Sequence, residues 1–209
     1  MAEIEEYQGQ PIILFPSARD WELWLDAQPP GSTGLWLKLA KKGCPTPSID
    51  YATALESALC FGWIDGQKRP YDESYWLQRF CPRKPRSRWS EINRGKATAL
   101  IECGRMRPAG LREVELARQD GRWDAAYASQ SVAEVPEDLR AALDADPRAA
   151  AFFATLDRTN RYAVLYRVHE AKRAETRAAR ITKFVAMLHD QETLHPRPAK
   201  PSKPADPGR

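Results

Sequence analysis

The sequence predicts an α+β fold: a small antiparallel or mixed sheet with helices in the first half, followed by a mostly helical second half. Two observations carry this. Up to residue 89, short apolar runs are bounded by Gly- and Pro-rich breaks, which is strand-and-turn punctuation. From Ser90 onward the apolar residues recur at three- and four-residue spacing, which is helical. A hydrophobic content of 43% with seven Trp supplies the apolar surface for a proper core.

Taken in order, residues 1–10 (MAEIEEYQGQ) are acidic and polar and read as a flexible lead. Ile12–Phe15 is short enough for an edge strand. Ser17 is placed to cap a helix over Ala18–Ala27, where Trp21, Trp24 and Leu25 share one face. Two prolines and two glycines make Gln28–Gly34 a loop. Leu35–Leu39 alternates as a strand does and closes at a Gly43–Pro47 turn. Ser48 or Asp50 starts a helix through Leu59, with Tyr51, Leu55, Ala58 and Leu59 facing inward. Phe61–Ile64 reads as a strand ended by Asp65-Gly66, a strong two-residue hairpin signal, with Ser74–Phe80 as the return strand.

Ser90 can cap a helix to about Glu102, and Pro108 opens another to Gln119 with Leu111, Val114 and Leu116 apolar. Helices follow from Pro136 to near Ala145 and from Pro147 to Leu156. A long helical stretch runs from Thr159 or Asn160 to about Asp190, broken near Arg173–Glu175. The tail 195–209 holds five prolines and no large apolar residue, which predicts disorder. The expected organisation is one domain over 11–190, its sheet-containing half at about 11–89 and its helical half at about 90–190.

Charge is unevenly distributed behind a net +4: residues 1–66 carry −5, 67–112 carry +8, 113–157 carry −6, 158–183 carry +6 and the remainder +1. Acidic and basic blocks of this kind can pack against each other, or the basic ones can attract anionic partners. Nucleic-acid binding is disfavoured by the low total charge and the lack of a recognisable signature. No secretory signal and no membrane-length apolar run is visible, so a cytoplasmic location is expected. Cys44, Cys60, Cys81 and Cys103 form no CxxC pair, and the three histidines are scattered, so neither a metal site nor a cofactor is expected.

Candidate function concentrates in Ala58–Asn93, where Lys68, Arg69, Arg79, Arg83, Lys84, Arg86 and Arg88 interleave with Tyr71, Tyr75, Trp76, Phe80 and Trp89. Like charges crowded together repel, whereas cations mixed with rings can hold an anion by charge and a flat group by stacking. Arg83–Asn93 adds a mechanism: four basic residues precede a helix whose first N–H groups point outward, with Ser87 or Ser90 as cap or donor and Asn93 one turn on. The competing reading is a solvated basic loop paired with the acidic block 113–157. In Gly62-Trp63-Ile64-Asp65-Gly66, Trp63 as core and Asp65 as turn former explain most of the motif. Asp65 as acid–base group is the alternative, without a second acid, histidine or nucleophile beside it in sequence. The late block Lys172–Lys183 reads as the solvated face of a packed helix.

The run Ala58–Gly66 (ALCFGWIDG), Phe80-Cys81-Pro82-Arg83 with Ser87, Trp89, Ser90 and Asn93, and Ala171–Ile181 (AKRAETRAARI) together resemble the YdeI/OmpD-associated, or bacteriocin-protection, family over roughly Phe15 to Leu188. The resemblance implies a link to resistance against antimicrobial peptides and to an outer-membrane porin, and no set reaction, cofactor or catalytic residue. Two classes therefore stay open. One is a stress- or bacteriocin-protection protein that binds a small anionic or aromatic ligand through Trp63, Asp65, Arg79, Arg83, Lys84, Arg86, Arg88, Trp89, Ser90 and Asn93, with a protein or peptide partner also compatible. The other is an enzyme acting on a phosphorylated or carboxylated small molecule through Asp65.

Overall fold

The computed structural model describes residues 5–46, 48–128 and 134–196, and has the α+β architecture the sequence predicts. The chain forms two compact units, meeting in sequence at Ala126 and Tyr127. The first holds β1 (Glu6–Tyr7), β2 (Gln10–Ile13), α1 (Ala18–Asp26), β3 (Leu35–Ala40), α2 (Tyr51–Cys60), β4 (Trp63–Pro70), β5 (Tyr75–Pro82), α3 (Glu91–Glu102) and α4 (Pro108–Gln119). The second holds α5 (Glu137–Asp144), α6 (Pro147–Ala154), α7 (Arg158–His169) and α8 (Ala174–His189). The helices α3 and α4 thus belong with the sheet rather than with the later helices.

In the first unit the strands lie in the order β1-β2-β3-β5-β4, parallel between β2 and β3 and antiparallel elsewhere. Leu35, Leu37 and Leu39 of β3 join Trp21 and Leu25 of α1, several residues of α2 and Phe80 of β5 in one core. Trp21 satisfies its indole by donating to the Ala54 carbonyl oxygen at 3.0 Å. The intervening Trp36 is also buried, at 1% exposure. Its ring meets Tyr7 edge-on at 5.4 Å, and its Nε1 donates to the Tyr7 oxygen at 3.2 Å. The lead expected to be flexible therefore contributes, from Glu6, a strand that gives the second face of β3 its cover.

Asp65-Gly66 is not the hairpin turn. β4 runs through it to Pro70, and the register shifts between Asp65 and Lys68, a bulge. Gly66 does not adopt a positive φ. The buried Gln78 fills the bulge, its Nε2 donating to the Gly66 and Gln67 oxygens at 2.9 and 3.2 Å. The chain turns between Pro70 and Tyr75, where Asp72 Oδ1 accepts from the Ser74 and Tyr75 N–H groups at 2.7 Å each. The glycine that does need a positive φ is Gly62 (+76°), where α2 hands over to β4.

Helix starts follow their caps: Ser17, Asp50, Ser90, Asp146 and Asp157 each accept a backbone N–H of the first turn, and Pro108 and Pro147 begin α4 and α6. Tyr51, expected inward, is exposed at the start of α2, and Leu111 and Leu116 of α4 are exposed while Val114 is core. Cys60 is buried as a small hydrophobe, and burial pushes its thiol up to about 11. In the second unit, Leu139, Leu143, Phe153, Leu165, Phe184 and Leu188 belong to a core of its own. The long helical stretch is interrupted between His169 and Ala174. Of the proline-rich tail, His195 and Pro196 are described and the remainder lies outside the described residues.

Candidate functional site

The basic run folds into a loop between β5 and α3. Its ends are tied by two 2.8 Å bonds, Lys84 N–H to Ser87 Oγ and Ser87 N–H to the Lys84 oxygen. Arg122, from the segment after α4, donates through Nη1 to the Ser87 oxygen at 2.8 Å while its Nε pairs with Asp120 at 2.7 Å. Beneath the loop, the Arg83 guanidinium stacks on the Trp89 ring at 3.5 Å, and its Nη1 donates to the Arg88 oxygen at 3.2 Å. Trp89 in turn meets Trp123 edge-on at 4.9 Å. Arg83 is 7% exposed and Trp89 1%.

These positions divide the expected ligand-binding set. Trp89 is a buried platform and Arg83 the cation on it, so neither presents a surface to a flat ligand. Trp63 is core, in edge contact with Trp24 at 5.5 Å. Arg79 donates to the Thr33 oxygen at 2.9 Å. Asp65 Oδ2 accepts from the Tyr51 hydroxyl at 2.6 Å. Ser90 caps α3 through the Asn93 N–H at 3.1 Å, and Asn93 itself is buried. Lys84 and Arg86 remain exposed and Arg88 half-buried. What the fold brings together is a basic loop at the amino end of α3, with the aromatic partners underneath it.

The other rings of the region meet cations of the protein itself. Lys38 lies over Tyr71 at 4.1 Å and Tyr75 at 4.8 Å, Lys68 over Trp76 at 4.1 Å, and Arg69 over Tyr7 at 3.9 Å. The Tyr71 hydroxyl donates to the Glu5 carboxylate. A basic, aromatic composition is therefore partly explained by pairing within the chain.

Two residues the sequence reading missed, Trp123 and Arg122, complete the loop, and Glu113, the first residue of the expected acidic block, lies near its guanidiniums. Burial holds the Glu113 carboxyl above its ordinary range, opposed by the guanidiniums of Arg83, Arg122 and Arg112. This is a local instance of the acidic block meeting the basic one. No local signal marks Arg122 or Trp123, because Arg122 reaches the loop from 35 positions away.

In the second unit the late basic block has a defined job. Arg177 donates to both Asp138 carboxylate oxygens at 2.5 and 2.9 Å and to the Val168 oxygen at 2.9 Å. Arg180 donates to the Arg167 oxygen at 2.6 Å. Both arginines of α8 thus donate to carbonyls in the last turn of α7, where the Val168 oxygen also accepts from the Ala171 N–H at 3.2 Å. Among the described residues, no group of three or more His, Cys, Asp or Glu is placed to hold a metal ion, and no helix is long and apolar enough to cross a membrane.

Residues 13–113 match a domain of unknown function, and residues 132–191 match the family described as bacteriocin-protection, YdeI or OmpD-associated. No curated protein and no solved structure matches the chain. The FGWIDG run and the Pro82–Asn93 loop fall in the first match, and the Ala171–Ile181 block, whose arginines close α7 onto α8, in the second. The match to the bacteriocin-protection, YdeI or OmpD-associated family is thus confined to residues 132–191, the part of the chain that holds α5 to α8.

Proposed function

We propose that this is a cytoplasmic protein of the bacteriocin-protection kind that acts by binding an anionic ligand at the loop Arg83–Ser90. The observation that supports it is the rigidity of that loop: Lys84 and Arg86 are exposed on a backbone locked by the Lys84–Ser87 bonds and by Arg122. Charges held in place by the fold lose less freedom on binding than charges on a loose loop. Glu91 already puts a carboxylate in the first turn of α3, so Lys84, Arg86 and Arg88, rather than the helix N–H groups, carry the attraction. The role of Arg83 and Trp89 is to support the loop from below. Asp65, engaged by Tyr51, serves the join between α2 and β4 in this reading and does no acid–base chemistry.

Inorganic phosphate should raise the unfolding midpoint of the wild type in a saturable way, as any ligand of the native state does. The variant to compare is Lys84→Ala, Arg86→Ala, which removes two exposed charges and leaves the Arg83–Trp89 stack intact. It should lose the saturable part and keep the general salting effect. An identical response in the two proteins would rule the loop out.

A further inference from the structure

We infer that the second unit contains a separate binding site for a small organic anion, one that carries a carboxylate, sulfate or phosphate on a ring or short hydrocarbon. The site is a groove of about 590 Å³ where α7 and α8 meet the segment that follows α8. That volume lies within the range of about 300–1,000 Å³ typical of small-molecule sites. Arg167, Arg180 and Lys183 supply three cations against the single carboxylate of Glu170, giving the lining a net charge of +2. Tyr166, Phe184 and Leu194 supply the apolar part. A bare inorganic ion would use only the first set, and a neutral hydrocarbon only the second.

The walls are held in place by hydrogen bonds and ring contacts within the second unit. Arg180 is fixed by the Arg167 oxygen at 2.6 Å, and Arg167 by the Ala163 oxygen at 3.1 Å. Each bond takes one of a guanidinium's five donors, so the group is oriented without being exhausted. Tyr166 stands between Tyr127 and Tyr162, with ring centroids 5.6 and 5.7 Å away. Leu194 is positioned because the buried Asn160 grips its neighbour: Asn160 Oδ1 accepts from the His195 N–H at 2.9 Å, and Nδ2 donates to the His195 oxygen at 3.2 Å. Lys183 is exposed on α8. Preorganised walls with one exposed cation suit capture of a small ligand.

This site does not depend on the Arg83–Ser90 loop, and the test separates the two. Phenyl phosphate, inorganic phosphate and phenol are titrated calorimetrically into the full chain. Phenyl phosphate should saturate one site and bind about tenfold or more tightly than phosphate, because both halves of the lining contribute. Lys183→Glu should weaken it by about tenfold or more, Lys183→Arg should keep it, and Lys84→Ala, Arg86→Ala should leave it unchanged. A thermal melt of each variant confirms the fold, with Lys183→Gln replacing Lys183→Glu if the latter melts early. Displacement of phenyl phosphate by phosphatidylglycerol vesicles would identify a lipid headgroup as the source of the anion, and no displacement a free solute; either upholds the groove. Phenyl phosphate binding no tighter than phosphate, or titrating alike into wild type and Lys183→Glu, overturns the proposal. Loss of binding in the Lys84→Ala, Arg86→Ala variant alone would overturn it in favour of the loop.

Discussion

Tyr51 and Asp65 show how a residue singled out for chemistry can be accounted for by structure. The Tyr51 hydroxyl donates to Asp65 at 2.6 Å, joining the first turn of α2 to the start of β4. Although Tyr51 keeps 36% of its surface exposed, partial burial, and then the adjacent carboxylate, push its phenol above its ordinary range. The hydrogen bond lies at the surface, so Tyr51→Phe should cost only about 0.5–1 kcal/mol in urea unfolding near neutral pH. Because the folded pKa is raised, this contribution is fully present below the unfolded tyrosine value of about 10 and is lost as pH rises beyond it. The gap in stability between wild type and Tyr51→Phe should therefore hold constant from about pH 6 to about pH 9 and narrow above about pH 10. A gap that widened on the alkaline side would mean the hydroxyl is not bonded to a carboxylate. The cysteines, by comparison, needed no such correction: Cys60 was readable as a buried hydrophobe from its apolar neighbours alone.

At the scale of elements, two glycines separate what a motif suggests from what packing requires. A Cβ on Gly110 of α4 would lie 2.4 Å from the Cys60 oxygen and 2.7 Å from the Leu59 oxygen, so α4 crosses the end of α2 at backbone contact. Gly110→Ala should destabilise by about 2–3 kcal/mol, since neither helix backbone can yield. A Cβ on Gly66 meets nothing closer than Arg79 Cβ at 3.7 Å, so Gly66→Ala should stay within about 0.5 kcal/mol of wild type. Equal midpoints for the two variants would contradict this packing. The contrast also explains what was legible. Helix starts were, because a cap such as Ser17 or Ser90 acts on a backbone group three positions away. The hairpin was misplaced, because what holds Asp65-Gly66 in a strand is Gln78, twelve positions on, and what makes the turn is the Asp72 carboxylate. The candidate site was legible as a charge pattern but not as a surface. Burial of Trp89 and Arg83 depends on Trp123 and the chain around Glu113, which nothing near residue 89 announces.

Two hydrophobic cores with no residue in common govern the molecule as a whole. One gathers residues from Phe15 to Ala126 around the sheet, and the other gathers residues from Leu139 to Leu188 among the last four helices. Six of the seven Trp belong to the first core or pack against it, as Trp21, Trp24, Trp63, Trp76, Trp89 and Trp123, and Trp36 lies on the same sheet, so the first unit owns every tryptophan. A unit with its own core and its own satisfied helix ends has what it needs to fold alone. Residues 1–126 expressed by themselves should therefore unfold in a single cooperative urea transition, followed by tryptophan fluorescence. The midpoint should match the fluorescence transition of the full chain, because all the reporting rings lie in this unit. Far-ultraviolet circular dichroism of the full chain reads both units, and the smaller helical core should melt at lower urea. The two probes should then disagree in the full chain and agree in the fragment. Coincident transitions in the full chain, with no cooperative transition in residues 1–126, would mean that the two cores are stable only together.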